Sequence, residues 1–172
     1  MISLSSTILQ GARGLVLGLL LGASVSPVIG DEQKTFGAND QPIHDAARMG
    51  FARDVEKILQ ATPAARDAKN GQGSQPIHLA ATNPNSGALQ ALLAAGADPN
   101  AKDIDGVTPL HMAAYTQSTA NTRLLLEAGA DPKAKTNAGR DVLSMARKSM
   151  ANEAAGIISL WILKGCQPKK PC

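Results

Sequence analysis

Past residue 39 the apolar positions come in pairs of short clusters, and the same pair recurs along the chain. The first cluster carries two adjacent alanines: Pro42-Ile43-His44-Asp45-Ala46-Ala47, Pro76-Ile77-His78-Leu79-Ala80-Ala81 and Pro109-Leu110-His111-Met112-Ala113-Ala114. The second supplies an apolar stripe at helical spacing, as Val55, Ile58 and Leu59, as Leu89, Leu92 and Leu93, and as Leu124, Leu125 and Leu126. Each pair therefore predicts a short helix, a turn, a second helix and an extended loop. Proline is accepted at a first helical position because its missing N–H would be unpaired there anyway, and Thr108 and Asp141 stand where a side chain can cap the exposed amides. The paired alanines let a second helix approach closely. Gly96 and Gly129 are expected to stop that helix in a left-handed conformation.

The histidines fall 34 and 33 residues apart, while Thr62, Gly96 and Gly129 each follow their histidine by 18. With that spacing constant, the one additional residue is assigned to the connection Lys69-Asn70-Gly71-Gln72-Gly73. A fourth, degraded copy begins at Gly139-Arg140-Asp141-Val142-Leu143-Ser144-Met145-Ala146, and its second helix is expected to arrive about three residues late, as in a terminal cap. No unit of this kind buries its apolar face alone, so the copies are expected to stack into one elongated all-α core with atypical ends. The boundaries read as 39–70, 71–103, 104–136 and 137–165, with a tail at 166–172.

On these residues the chain resembles the ankyrin-repeat family, whose pattern of Thr-Pro-Leu-His, paired alanines, paired leucines and Gly-Ala-Asp is matched most closely by residues 106–132. The resemblance covers about residues 39–165. It implies a slightly curved solenoid of about four helix-turn-helix repeats with hairpin loops on one side, used to bind other proteins rather than to catalyse. Gln41 and Gln75 stand where the family favours Thr, and Thr62-Pro63-Ala64 replaces Gly-Ala-Asp, which reads as a loosened first repeat. The family's Gly between the two helices survives only as Gly50, with Pro84 and Gln117 in the middle copies.

The first thirty residues differ from the rest. They hold no acid, one base (Arg13), and the run Gly14-Leu15-Val16-Leu17-Gly18-Leu19-Leu20-Leu21-Gly22-Ala23. This is the layout of a signal peptide with cleavage after Gly30. The competing reading is a retained anchor, but Gly18, Gly22, Ser24, Ser26 and Pro27 interrupt the apolar run short of a spanning helix. Residues 31–38 read as a flexible lead-in. The chain is thus expected to be exported, to the periplasm first and outside the cell second, with no stable membrane insertion after cleavage.

Composition narrows the function. The 172 residues are 44% hydrophobic and carry a formal charge of +3, and only four are aromatic (Phe36, Phe51, Tyr115 and Trp161). That field and that supply of stacking rings argue against nucleic acid as a partner. His44, His78 and His111 occupy one place in successive units, and packed helices lie about 8–10 Å apart, so they do not converge on one metal; they read as structural. No nucleophile elbow, metal-binding pair or phosphate-cradling loop is present, so neither catalytic residues nor a cofactor are assigned. Cys166 and Cys172, with five residues between them in a Pro- and Lys-rich tail, read as a structural disulfide of an oxidising compartment rather than a redox pair; an intermolecular bridge stays open.

Two groups of positions are candidates for contact with a protein partner. Asn70 and Gln72, Asp103, Ile104 and Asp105, and Thr136 and Asn137 occupy equivalent loop tips whose chemistry varies on a repeating frame. Arg48, Thr82, Tyr115 and Lys148 lie four residues after the histidine position, a row that the resemblance places on the concave side of the first helices. Leu79, Met112 and Met145 read as packing between first helices, and Trp161 as a seal on the last one. The expected function is a non-enzymatic binding scaffold or adaptor. The alternatives are an accessory factor protecting or assembling a periplasmic enzyme, one of oxidative defence included, a secreted effector, and a thiol redox protein.

Overall fold

A proline or valine opens the first helix of each copy, and the residue before it holds the extended backbone that leads into a helix. In the computed structural model, which describes residues 39–168, this happens four times. The expected signal peptide at 1–30, the expected lead-in at 31–38 and Cys172 lie outside the described residues. The first helices are α1 (Pro42–Met49), α3 (Pro76–Thr82), α5 (Pro109–Tyr115) and α7 (Val142–Lys148). The second helices are α2 (Ala52–Ala61), α4 (Gly87–Ala94), α6 (Thr119–Ala128) and α8 (Asn152–Lys164). A single antiparallel bridge, Lys135 with Asp141, is the only β pairing among the described residues.

The first helices pack on one another in the order α1, α3, α5, α7, and each is backed by the second helix of its own copy. The alanine pairs permit this: Ala47, Ala80, Ala81, Ala113, Ala114 and Ala146 are fully buried between neighbours, where a larger side chain would push the helices apart. Val55, Leu89, Leu92, Leu125, Leu126 and Ile158 complete one continuous core. In the third copy the stripe is Thr122, Leu125 and Leu126; Leu124 is only half-buried. Thr122 takes the place of Val55 and Leu89 at no polar cost, because its hydroxyl donates to the Ser118 carbonyl at 2.8 Å.

The turn between helices needs left-handed backbone in three copies, but glycine supplies it only once. Gly50 has φ +83°, while Gln117 and Met150 adopt +62° and +57° at the equivalent positions. The second copy uses another route. Asn83 stays extended before Pro84, as the residue preceding a proline prefers. Its side-chain amide donates to the Arg48 carbonyl at 2.6 Å, and that of Asn121 donates to the Asn83 and Ala81 carbonyls at 2.7 and 3.1 Å, closing the end of α3. The second helices stop as expected, with Gly96 at φ +84° and Gly129 at +103°.

Two details of register differ from the sequence reading. The hairpins Asn70–Ser74, Asp103–Val107 and Thr136–Arg140 are equal in length, each closed by the first residue's N–H on the fifth residue's carbonyl at 3.1, 3.1 and 2.9 Å. The additional residue therefore lies upstream of Lys69–Gly73, in a 3-10 turn at Pro63–Asp67. Pro63 starts that turn where Gly-Ala-Asp is missing, and Arg66 within it donates to the Ala95 carbonyl at 2.9 Å. Nor is the last helix late. α8 begins ten residues after the start of α7, as α6 does after α5, and it is longer only at its far end, with 13 residues against 10.

The hairpin glycines test this packing. Gly106 has φ +73°, and a Cβ there would lie 2.5 Å from Asn137 Oδ1; Gly139 has φ +74° with nothing within 4 Å. Gly139→Ala should cost only the left-handed backbone, about 1 kcal/mol. Gly106→Ala must also displace Asn137 and should cost about 2–3 kcal/mol. Urea unfolding of both variants checks the difference, and equal losses would refute hairpin-to-hairpin packing.

Candidate functional site

Each hairpin is organised by the side chain of its first residue. Asn70 Oδ1 accepts the N–H groups of Gln72 and Ser74, both at 3.0 Å; Asp103 Oδ1 accepts those of Asp105 and Val107 at 3.0 and 2.8 Å; Thr136 Oγ1 accepts that of Arg140 at 3.3 Å. Asn70 and Thr136 are consequently buried, only 7% and 5% exposed, and Asn70 also donates to Asp40 at 2.9 Å. This corrects their placement at the loop tips: a short polar side chain at this corner satisfies the turn's own amides before it can face a partner. The side chains that do project are Gln72, Ile104, Asp105 and Asn137. A glycine of positive φ, at residues 73, 106 and 139, follows each organising residue by three. That recurrence was readable in the sequence and marks the turn better than the polar residues do.

Neighbouring hairpins are tied together. The Ile104 N–H donates to the Gln72 carbonyl at 3.1 Å and the Asn137 N–H to the Asp105 carbonyl at 2.9 Å. Asn137 Nδ2 adds a bond to the Ile104 carbonyl at 3.0 Å. The tips are held against one another as well as against the helices.

Beneath the hairpins, each histidine joins two copies. Its Nδ1 accepts an N–H at the start of its own helix, from Gln41, Gln75 and Thr108 at 2.9, 3.1 and 3.2 Å. The proton is therefore on Nε2, which donates into the next hairpin: His44 to Ala68 and Ser74, His78 to Val107, His111 to Arg140, all between 3.1 and 3.3 Å. Burial lowers the pKa of His78 and His111 below the ordinary histidine value, against the smaller opposing pull of the carbonyls they serve. No group of three potential metal ligands occurs among the described residues. The Thr108 hydroxyl also lies 2.8 Å from His111 Nδ1, whereas Gln75 Oε1 is buried without a hydrogen bond.

The row four residues after the histidine position is not uniform. Arg48 is held by Asp40 at 2.6 Å and Asp45 at 2.9 Å. Burial pushes the Asp40 carboxyl up, but the hydrogen bonds from Arg48 and Asn70 outweigh it and leave the pKa lowered. The Thr82 hydroxyl donates to the Leu79 carbonyl at 2.7 Å. Tyr115 is 55% exposed and Lys148 is exposed, so these two side chains project from the row. Tyr115 lies in a cleft of about 340 Å³ with Val107, Met112 and Met145 as its other apolar walls and Gln72, Ser74, Asp103 and Asp105 on the hairpin side. Leu79, Met112 and Met145 are all partly buried; Leu79 and Met112 pack against the core, and Met112 and Met145 also line the cleft. Trp161 is half-buried against the last core layer, and Cys166 follows the end of α8.

A family model described as ankyrin repeats, in three copies, matches residues 43–136. No curated protein matches the chain. Among the described residues, no helix is long and apolar enough to cross a membrane.

Two outcomes follow from the histidine geometry. His78 and His111 titrate lower folded than unfolded, so they stabilise the fold while neutral, and that contribution is lost as pH falls below about 6.5. The urea midpoint should drop between neutral pH and about pH 5; a midpoint that held or rose would contradict the bonding pattern. Gln75→Thr should raise the unfolding free energy by about 0.5–1 kcal/mol, by removing the orphaned amide oxygen and giving His78 the hydroxyl that His111 has. Differential scanning calorimetry would show it as a higher Tm.

Proposed function

Since the chain belongs to the ankyrin-repeat family, we propose that it is a non-enzymatic scaffold or adaptor of an exported compartment, which holds a protein partner against its hairpins and first-helix face. Such repeats generally serve as protein-interaction scaffolds. The observation that carries the reading is the division of labour within the hairpins. Asn70 and Thr136 are spent on the turn, Asp103 commits one oxygen to it, and the histidines are spent on the joints, while Gln72, Ile104, Asp105 and Tyr115 project from that frame and Asn137 is exposed with its amide on the Ile104 carbonyl. Ile104 is 65% exposed and Tyr115 55%, large apolar surface held at positions where hydration is the only alternative to a partner. Ile104 stands on backbone bonded to both adjacent hairpins and Tyr115 on the last position of α5, so little backbone order remains to be lost on binding.

Export is part of the same proposal and is supported by the composition of residues 1–30, with one base ahead of an apolar run and the first acids only at Asp31 and Glu32. A bridge between Cys166 and Cys172 would suit that compartment and fasten the chain after α8.

The test is a crosslinked pull-down from intact cells with the full-length protein, beside a variant carrying Tyr115→Ala, Ile104→Ala and Asp105→Ala. All three side chains are exposed, so the variant should fold with a Tm close to that of the parent. A partner captured by the parent and lost from the variant is the expected result. Equal capture by both would show that the contact lies elsewhere.

A further inference from the structure

The cleft beside Tyr115 has a chemistry of its own. Val107, Met112, Tyr115 and Met145 form its apolar walls, and the carboxylates of Asp103 and Asp105 line it together with the uncharged Gln72 and Ser74. One oxygen of Asp103 is engaged by the turn, while the Asp105 carboxylate accepts no hydrogen bond among the described residues. Neither is ion-paired there: the ion pairs join Arg48 to Asp40 and Asp45, and Arg66 to Asp67. Two unpaired negative charges therefore border an apolar hollow.

That combination discriminates among the side chains a partner could insert. A purely apolar residue would match the walls but strip water from the carboxylates and return nothing to them, which is costly for charges. An acidic residue would add repulsion. A cation on an aliphatic stem satisfies both halves: the stem lies along the methionine and valine side chains, and the head reaches the carboxylates. Tyr115 lines the same cleft, and an aromatic face attracts a cation that comes within about 6 Å of it. Resting on the proposed role of this face in holding a protein, we infer that the cleft takes one lysine or arginine side chain of the partner, presented on an extended segment with apolar neighbours.

The substitutions that test this can spare the fold. Asn70 organises the first hairpin from the position that Asp103 holds in the second, so Asp103→Asn removes charge and keeps the turn. The probe is a random-peptide display library selected on the full-length protein, with enriched peptides measured by fluorescence polarisation. The expected result is one enriched Lys or Arg position beside apolar residues. Replacing that residue by Ala, or using Asp103→Asn/Asp105→Asn protein, should weaken binding by about tenfold or more. Asp105→Lys should shift the enriched position toward Asp or Glu. Peptides that lack a basic residue, or bind the double Asn variant undiminished, yet are lost with Tyr115→Ala, would overturn the inference and leave the binding face standing. Peptides indifferent to all of these variants, or no enrichment at all, would count against the face itself.

Discussion

The imidazole of each repeat has to face two ways at once, and the rest of the structure is arranged around that demand. One nitrogen must accept an N–H at the start of its own helix, and the other must donate to a carbonyl 24 to 30 residues further on. Only a neutral ring in one tautomer does both. Because the ring is rigid, the start of a first helix and the base of the next hairpin are held at a set separation, copy after copy. The alanine pairs set the distance between helices, and the histidines set where along those helices each hairpin attaches. In the fourth copy Ser144 replaces the histidine, and Asp141 caps the helix through the Ser144 N–H at 2.7 Å. No hairpin follows it among the described residues, so a ring with a second nitrogen would have nothing to hold.

This arrangement separates structure from recognition at the level of single atoms. The organising residue of each hairpin varies as Asn70, Asp103 and Thr136, and every one of them offers an oxygen to the same backbone amide, that of the fifth residue. The frame needs an acceptor at that corner and is indifferent to its charge. The residues just after it are unconstrained by the turn and differ freely: Gln72, Ile104 and Asp105, Asn137. Variation in chemistry at fixed geometry is what a repeat stack needs to acquire a specific partner without relearning its fold.

How much of this was legible in the sequence depended on whether the signal was periodic. The helices and their order follow from apolar spacing, and the stop at Gly96 and Gly129 from glycine after a helical stripe. The misplacements share a cause, which is reliance on residue type where hydrogen bonding decides. Counting between histidines shows that one residue is extra but not whether the 3-10 turn or the hairpin absorbs it; only the closing bonds of Asn70–Ser74 decide. Gln117 and Met150 occupy left-handed backbone that glycine was expected to mark, which hid the regular register of α8. Asn70 and Thr136 read as exposed because polar turn residues usually are, whereas here the turn's own amides claim them. Arg48 read as an open position because its principal partner, Asp40, precedes the first cluster and belongs to no repeating pattern.

The proposed cleft draws on three successive copies: Asp103 and Asp105 come from the hairpin ahead of α5, Met112 and Tyr115 from α5 itself, and Met145 from α7. A side chain seated there therefore bears on two joints of the stack. These are also the joints where the frame is most complete. Thr108 and His111 make the fullest set of helix-start bonds, while the second copy leaves the Gln75 amide oxygen unpaired and the first departs from the pattern at Pro63. In a stack whose stability is a chain of nearest-neighbour interactions, rigidity is local, and a site gains most where its own joints are strongest. The residues closest to the repeating pattern, 106–132, thus supply both the most fully bonded helix start and three of the cleft's apolar walls. The hairpin backbone that carries Asp103 and Asp105 is already fixed by bonds unrelated to the partner, so recognition at this position has chiefly side chains left to order.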